Sequence, residues 1–189
     1  MSFSSEPDYL SSASKTIIIR KARLSDAAQL AETIVSSFYN DLGFFFWLNP
    51  VLQYTVSEDL RYRLRHHPPL YQCLTAVSNT TQPETIVGTV EIAIKKSFWL
   101  TSNVQYPYIS NLAVKAHYRR QGIAKQLLER CEQIATGWGY NRIQLHVLAH
   151  NEQAKKLYLG YGYQIVSEEP HWNGFFQPFA TRLLLRKQI

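Results

Sequence analysis

Cysteine is scarce in this sequence and long apolar runs are missing. Only two cysteines occur in 189 residues, too few for a disulfide framework and without the paired spacing of a metal site. We therefore expect Cys73 and Cys131 to be reduced core residues, and we expect no metal. No apolar run approaches the ~20 residues that cross a bilayer, so we expect no membrane partner. Neither G-x-x-x-x-G-K-[ST] nor G-x-G-x-x-G occurs, which argues against P-loop and Rossmann nucleotide sites.

The composition is that of a globular chain, with 46% hydrophobic and 18% charged residues. The net charge of +6 is compatible with an anionic ligand, but the basic residues are spread out and no RNA platform is evident, so no nucleic-acid partner is expected. Residues 1–14 are polar and Ser-rich, which predicts a flexible tail rather than a secretion or transit signal. Residues 15–189 are predicted to form a single domain. We expect a cytoplasmic location, or the plastid stroma for a plant source.

Hydrophobic periodicity predicts the element order β-α-α-β-β-β-α-β-α-β-β, an α/β (α+β) arrangement of helices on a sheet. Alternation along the third predicted strand places Ile86, Val90 and Ile92 on one face, with Val87 and Glu91 on the other. The predicted strands cover residues 16–20, 70–77, 85–94, 106–114, 142–148, 163–166 and 179–186. The first predicted helix begins at Ser25, and the other three cover residues 56–65, 123–135 and 152–159. Residues 171–178 are a predicted loop.

The basic turn at residues 119–124, Arg-Arg-Gln-Gly-Ile-Ala, lies between a predicted strand and a predicted helix. Such a turn presents the backbone N–H groups at the start of the helix to phosphate oxygens. Arg119 and Arg120 add positive charge beside the positive end of the helix dipole. Gly122 allows a ligand to approach the backbone closely. The turn therefore predicts a pyrophosphate site.

Two motifs in this region resemble those of the GNAT superfamily of N-acetyltransferases. The basic turn resembles the signature (Q/R)-x-x-G-x-(G/A), with Ala124 at the second glycine position. Residues 151–163 resemble the segment N-x-x-A-x-x-[LF]-Y-x-x-x-G-[FY], and with the preceding strand the resemblance covers residues 106–166. It implies the GNAT fold, a central mixed, mostly antiparallel sheet with helices on both faces. In that fold two strands splay apart to form the acetyl-CoA cleft.

The resemblance implies acetyl-CoA as the co-substrate and a role for each matching residue. Tyr158 resembles the tyrosine beside the thioester sulfur, and a phenol of pKa ~10 suits hydrogen bonding to a departing thiolate. Asn151 resembles the asparagine near the pantetheine arm. The residues expected to contact acetyl-CoA are Leu112, Ala113 and Val114 on the strand, Arg119, Arg120, Gln121, Gly122, Ile123, Ala124 and Lys125 around the pyrophosphate, and Asn151, Ala154 and Tyr158 in the second motif.

The acceptor amine must lose a proton, and two groups are candidate bases. His146 and Tyr108 resemble a pair in N-terminal acetyltransferases that orders the water which takes this proton. Glu91 is the competing base. The non-catalytic interpretation of Glu91 is a solvated charge on a half-exposed strand face. The non-catalytic interpretation of His146 is a core histidine whose ring nitrogens are hydrogen-bonded. Lysine, with a pKa of ~10.4, needs about 4 kcal/mol for deprotonation at neutral pH, whereas an α-amine of pKa ~7.7–8.0 needs little. His146 as base therefore favours an α-amine acceptor, and Glu91 favours lysine or a polyamine.

The sequence thus predicts an acetyl-CoA-dependent acetyltransferase that acts on protein amines by direct attack in a ternary complex. The N-terminal α-amine is the preferred acceptor and lysine is possible, as in the plastid and cyanobacterial GNATs that acetylate proteins, which the chain resembles. A small-amine acetyltransferase and a non-catalytic acyl-CoA sensor are the alternatives, and the protein is expected to be a monomer or homodimer. Aromatic residues at 44–47 and at Trp172, Phe175 and Phe176 either grip a peptide at the acceptor cleft, form a dimer contact or belong to the core.

Overall fold

A computed structural model of the protein describes residues 16–38, 49–66, 68–79, 84–96, 104–173 and 177–189, without the side chains of residues 171–173 and 177–180. The predicted element order is confirmed. The strands are β1 (Ile17–Lys21), β2 (Tyr71–Ser78), β3 (Thr85–Lys96), β4 (Gln105–Val114), β5 (Arg142–Leu148), β6 (Gln164–Asn173) and β7 (Gln177–Gln188), and the helices are α1 (Ala27–Phe38), α2 (Asn49–His66), α3 (Ile123–Gly137) and α4 (Glu152–Gly160).

The seven strands form one mixed sheet in the order β1-β2-β3-β4-β5-β7-β6. Neighbouring strands are antiparallel except for β4 and β5, which run parallel. These two strands pair only at Tyr108 with Gln144 and at Ile109 with Leu145 in the described structure. Their later residues are unpaired with each other, so β4 and β5 diverge toward their carboxyl ends, as the resemblance implies for the acetyl-CoA cleft.

The helices cover both faces of the sheet. One core cluster packs α3 against the strands, and Tyr158 of α4 belongs to it. The second cluster packs α1 and α2 against the other face, around Cys73, Val77 and Ile86. Because side chains alternate along a strand, each strand contributes to both layers. The buried stripe of α3 follows the predicted helical spacing and consists of Ile123, Leu127, Leu128, Cys131 and Ala135.

Two β-bulges interrupt the alternation of β3 and β4. On β3, Val77 pairs with Ile86 and Ala76 with Gly88, which leaves Val87 as the extra residue. Val87 therefore lies in the α3 cluster and Ile86 in the other one, so the predicted faces of these two residues are wrong. On β4, the pairing shifts between Ala113 and Ser110, and Asn111 in this interval has a left-handed backbone with φ 53°. A bulge bends its strand, and this one lies where β4 leaves β5.

Helix α2 and strands β6 and β7 are markedly longer than predicted, whereas the other elements agree with their predicted bounds to within about two residues. Helix α2 begins at Asn49 rather than near residue 56, with Pro50 in its first turn, where no helical N–H partner is lost. Strands β6 and β7 include residues 171–173 and 177–178 of the predicted loop. The predicted tail, the aromatic segment 44–47, Phe175, Phe176 and the side chain of Trp172 lie outside the described residues. Among the described residues, no helix is long and apolar enough to cross a membrane.

Candidate active site

Tyr108 and His146 meet across the two parallel strands at the point where they diverge. The hydroxyl of Tyr108 lies 2.9 Å from Nδ1 of His146, a hydrogen-bonding distance. Their neighbours Ile109 and Leu145 point into the α3 cluster, so by alternation Tyr108 and His146 lie on the opposite face. Both residues are largely buried; Tyr108 is 8% exposed and the His146 side chain 16%. The fold therefore brings the two predicted relay residues into direct contact.

A carboxylate and a guanidinium from the last two strands complete this cluster. Nε2 of His146 lies 3.3 Å from Oε2 of Glu169, within ion-pair distance, but it is not aligned as a hydrogen bond. The same Oε2 accepts hydrogen bonds from Nε and Nη2 of Arg182, at 3.1 and 2.8 Å. Glu169 and Arg182 are directly paired across β6 and β7. The cluster thus runs from Tyr108 through His146 and Glu169 to Arg182.

Burial and neighbouring charges favour a neutral imidazole. Burial lowers the pKa of His146 below its ordinary value, and the charges of Arg182 and Lys95 lower it further, while Glu169 opposes them. Nζ of Lys95 lies 3.4 Å from the ring centroid of Tyr108, a cation–π contact. Burial raises the pKa of Tyr108. At neutral pH the pair therefore consists of a protonated phenol and an imidazole able to accept a proton.

Tyr158 of α4 lies on the α3 face of the sheet, in the core cluster that also holds Ile109 of β4 and Leu145 of β5. It is 7% exposed and belongs to the α3 cluster, where its ring stacks edge-on against Tyr163 with the centroids 5.8 Å apart. Burial raises its pKa, and the nearby Tyr108 and Cys131 raise it further. The phenol is therefore a hydrogen-bond donor at neutral pH. Tyr158 and the Tyr108–His146 pair therefore lie on opposite faces of the sheet.

Glu91 occupies a different environment from the one expected for it. It is 1% exposed, so the expectation of a half-exposed, solvated carboxylate is wrong. Its Oε2 accepts hydrogen bonds from the Tyr71 hydroxyl at 2.7 Å and from Nη1 of Arg63 at 2.5 Å, and its Oε1 accepts one from Nδ2 of Asn111 at 2.6 Å. Sequence reasoning missed this cluster because its members come from α2, β2 and the β4 bulge.

The two cysteines are free and buried, as predicted. Burial raises the pKa of Cys73 to about 12 and also raises that of Cys131. Since the thiolate is the nucleophilic form, neither residue is suited to carry an acyl group at neutral pH.

The basic turn at residues 119–124, hereafter the phosphate turn, has the backbone conformation that a predicted pyrophosphate site requires. Arg120 and Gly122 both have positive φ, 64° and 77°, and Gly122 caps α3. The first helical bond to its carbonyl comes from N of Gln126, at 3.1 Å, so the N–H groups of residues 123–125 precede the regular helical pattern. A Cβ added at Gly122 would meet no atom within 4 Å among the described residues. This open, amide-lined turn fits a pyrophosphate.

Two side chains of the turn are used to shape it. Nε of Arg119 donates to the carbonyl of Val114 at 3.0 Å, which closes the turn onto the end of β4. Nε2 of Gln121 donates to the carbonyl of His117 at 3.2 Å. Ile123 is buried, so only its backbone can face a ligand. Arg119, Arg120, Gln121 and Lys125 are exposed.

Gly88 sets how closely the phosphate turn packs against the sheet, and sequence reasoning missed it. A Cβ there would lie 3.2 Å from the carbonyl oxygen of Ala113 and 3.3 Å from side-chain atoms of Ile123 and Leu127. These distances are tighter than ordinary contacts, so a larger residue would push the start of α3 away from β4. An isolated glycine within a strand pattern is the signal that could have found it.

A hydrogen bond joins Asn151 and Ala154 of the second motif at the start of α4. Oδ1 of Asn151 accepts a hydrogen bond from the backbone N of Ala154 at 3.0 Å and so caps α4. The cap uses the carbonyl end of the amide. The same helix carries Tyr158 inward, so the cap also determines where that phenol lies.

Lys95, Glu169 and Arg182 were also missed, and no short-range pattern identifies them. Lys95 lies near the end of a long strand, and the other two lie on a hairpin whose register depends on a bulge between Ile165 and Ser167. Asn111 gave a weak signal, because asparagine is unfavourable in a strand interior. Its position after Ser110 marks a break in the apolar alternation.

Comparison with known proteins adds to this geometry. The protein-family model described as "Acetyltransferase (GNAT) family" matches residues 35–163 of the chain. GCN5-related N-acetyltransferase 10, chloroplastic, of Arabidopsis thaliana is 28% identical over 90% of this chain, which spans 68% of that relative. Thialysine N-epsilon-acetyltransferase of Bos taurus is 29% identical, over 90% of this chain and 98% of its own length. The crystal structure of Arabidopsis thaliana NAA60 in complex with a bisubstrate analogue has a TM-score of 0.68 and 22% identity, over 92% of this chain and 99% of that one.

Proposed function

Because the chain belongs to the GNAT family of acetyltransferases, we propose that it transfers the acetyl group of acetyl-CoA to protein amines, preferring the N-terminal α-amine and accepting some lysines. The observation that carries this proposal is the 2.9 Å contact between the Tyr108 hydroxyl and Nδ1 of His146 at the divergence of β4 and β5. This contact provides a proton acceptor where the resemblance implies that a thioester enters.

Binding of acetyl-CoA is assigned to the phosphate turn and the diverging strand. The amides of residues 123–125 and the charges of Arg119, Arg120 and Lys125 would hold the pyrophosphate. Backbone groups of residues 112–114 and the amide of Asn151 would contact the pantetheine arm. The co-substrate supplies a thioester-activated acetyl group, and the residues of the chain supply position and proton transfer.

Proton transfer is assigned to three side chains. Nδ1 of His146 accepts the proton of the amine, through the Tyr108 hydroxyl or through a water that the two residues hold. Tyr158 donates a hydrogen bond to the departing sulfur from the opposite face. Lys95 and Arg182 make the surroundings of the amine more positive, which favours its neutral, nucleophilic form. Direct attack in a ternary complex needs no acyl-cysteine, in agreement with the protonated, buried thiols.

The choice of acceptor follows from the strength of the base. A histidine whose pKa is lowered below 6.5 can assist an amine that is already partly neutral, such as an α-amine of pKa ~7.7–8.0. It is less suited to lysine, whose deprotonation at neutral pH costs about 4 kcal/mol. The burial of Glu91 and its three donors further support His146 as the base. We propose that Glu91 stabilises the fold and does not accept the proton of the amine.

A small-amine acetyltransferase is the second candidate function. It is favoured by the similarity to thialysine N-epsilon-acetyltransferase of Bos taurus, which extends over 98% of that protein. An amino-acid acceptor of this kind carries a carboxylate, and Lys95 and Arg182 supply positive charge near the proposed site. The two candidates therefore differ in the acceptor and share the same acetyl-CoA site.

The deciding experiment offers both acceptor classes in parallel. Acetyl-CoA consumption is measured with peptides that have a free or a blocked N-terminus and contain lysine, and with thialysine and polyamines; acetylation sites are read by mass spectrometry. Labelling mainly at α-amines, lost in His146→Ala with acetyl-CoA affinity retained, is the expected result. Labelling confined to small amines would replace the first candidate with the second. Tight acetyl-CoA binding without any labelled acceptor would make the protein a non-catalytic sensor.

A further inference from the structure

We propose that Glu169 and Arg182 are positioning residues that set the proton affinity of His146 in opposite directions. Neither residue needs to touch the substrate for this role, because both act through the imidazole. The inference deepens the proposed function and rests on it, since it concerns the group that accepts the amine proton.

The geometry places one carboxylate oxygen between two nitrogen groups. Oε2 of Glu169 is 3.3 Å from Nε2 of His146 and 2.8 Å from Nη2 of Arg182. Arg182 also donates through Nε to the same oxygen. This oxygen is thus engaged by the guanidinium, and it faces the imidazole without a formed hydrogen bond.

The contact between Glu169 and His146 becomes stronger when His146 takes a proton on Nδ1. The neutral imidazole that accepts from Tyr108 at Nδ1 carries its hydrogen on Nε2, on the side of Glu169. After proton uptake the ring is a cation 3.3 Å from a carboxylate, and the contact becomes an ion pair. Glu169 therefore stabilises the protonated state of the base. Arg182 opposes it, by its own positive charge and by engaging the oxygen that His146⁺ would use.

The other charged and titratable groups around the imidazole come from the neighbouring strands. Tyr108 on β4 contacts Nδ1, and Lys95 on β3 lies over the Tyr108 ring. Burial, Arg182 and Lys95 lower the pKa of His146, and Glu169 raises it. Arg182 is also the main cause of the lowered pKa of Glu169, so this carboxylate keeps its negative charge to a lower pH than an ordinary glutamate does. Burial lowers the pKa of His146 most, and two opposing charges on one hairpin then adjust it in opposite directions.

The test is an NMR titration of the histidine side chains in the full chain, with His146 identified from its missing resonance in His146→Gln. Glu169→Gln removes the carboxylate charge and is expected to lower the pKa of His146 by about 1 unit. Arg182→Gln removes the guanidinium charge and frees the Glu169 carboxylate from it. This variant is expected to raise the pKa of His146 by about 1 unit. Glu168→Gln is the matched control, because this exposed neighbour alternates to the other face of β6. It is expected to leave the titration unchanged.

Unchanged titrations in both variants, or shifts of the same sign, would overturn the proposal whether or not the enzyme is active. Shifts of opposite sign support it, and they would be matched by opposite shifts in the acidic limb of kcat/KM against pH. If the titrations move as expected and the rate profile does not follow, the coupling stands and the role of His146 as proton acceptor fails. The NMR measurement therefore separates this inference from the proposed function.

Discussion

The side-chain amide of Asn111 donates a 2.6 Å hydrogen bond to Oε1 of Glu91 from a backbone held at φ 53°. Asparagine adopts this left-handed conformation more readily than most residues. The bond ties the bulge of β4 to β3 immediately before the residues assigned to the pantetheine arm. Arg63 joins the same carboxylate from α2, so one buried side chain connects the bulge, the sheet and a helix.

Glu91→Gln tests this structural interpretation of the carboxylate. Loss of the negative charge leaves Arg63 without its buried counter-charge, and we expect the free energy of unfolding to fall by about 3 kcal/mol. The measurement is urea denaturation at neutral pH. Glu58→Gln is the control, because its ion pair with Arg61 is exposed and such pairs contribute less than ~1 kcal/mol. If Glu91→Gln unfolds like the control variant and yet loses all turnover, Glu91 is the base and the structural role is wrong.

Gly122→Ala tests the phosphate turn. A left-handed alanine costs ~1–2 kcal/mol, and the added methyl group enters the space assigned to the pyrophosphate. We expect the Kd for coenzyme A, measured by calorimetry, to rise at least ~10-fold with this loss of turn geometry. Gly137→Ala is the matched control, since this glycine ends α3, lacks a positive φ and has open space at its Cβ. Equal coenzyme A affinity in the two variants would place the pyrophosphate elsewhere.

Tyr158→Phe tests the proposed donor to the departing sulfur. The ring and its packing are retained, so we expect unchanged stability and acetyl-CoA affinity, and a kcat lower by about 100-fold or more. Tyr163→Phe is the control, because its ring centroid lies 5.8 Å from that of Tyr158 and its buried hydroxyl has no hydrogen-bond partner within the described part of the chain. Steady-state kinetics with a saturating acceptor give the comparison. A Tyr158→Phe enzyme as fast as the Tyr163→Phe enzyme would assign the thiolate to another donor.

The lowered pKa of His146 predicts a dependence of stability on pH. Between the folded-state pKa and the ordinary value of ~6.5, the unfolded chain binds more protons at this residue than the folded chain does. The stabilisation due to the neutral imidazole is therefore present above pH ~6.5 and is lost as pH falls through the folded-state pKa. In denaturation curves from pH 7.5 to 5, wild type should lose more stability than His146→Gln. Parallel losses in the two proteins would mean that the imidazole titrates normally.

The sequence by itself determined the element order, the basic turn at residues 119–124 and the second GNAT motif, because these depend on residues close together in the chain. The period of apolar residues distinguishes helix from strand, and the residues around Gly122 and Asn151 form short motifs that can be recognised without a structure. The resemblance also paired Tyr108 with His146 in one role, and the structure added their direct contact.

Only the tertiary structure decided the surroundings of the two candidate bases. The bulges at Val87 and Asn111 each add one residue to a strand, which reverses the faces that alternation assigns. Glu91 is buried because α2 supplies Arg63 to it, and sequence alternation carries no information about a partner 28 positions away. Glu169 and Arg182 reach His146 because β7 pairs with both β5 and β6. A pKa depends on charges a few ångströms away in space, and the pairing of distant strands sets those distances.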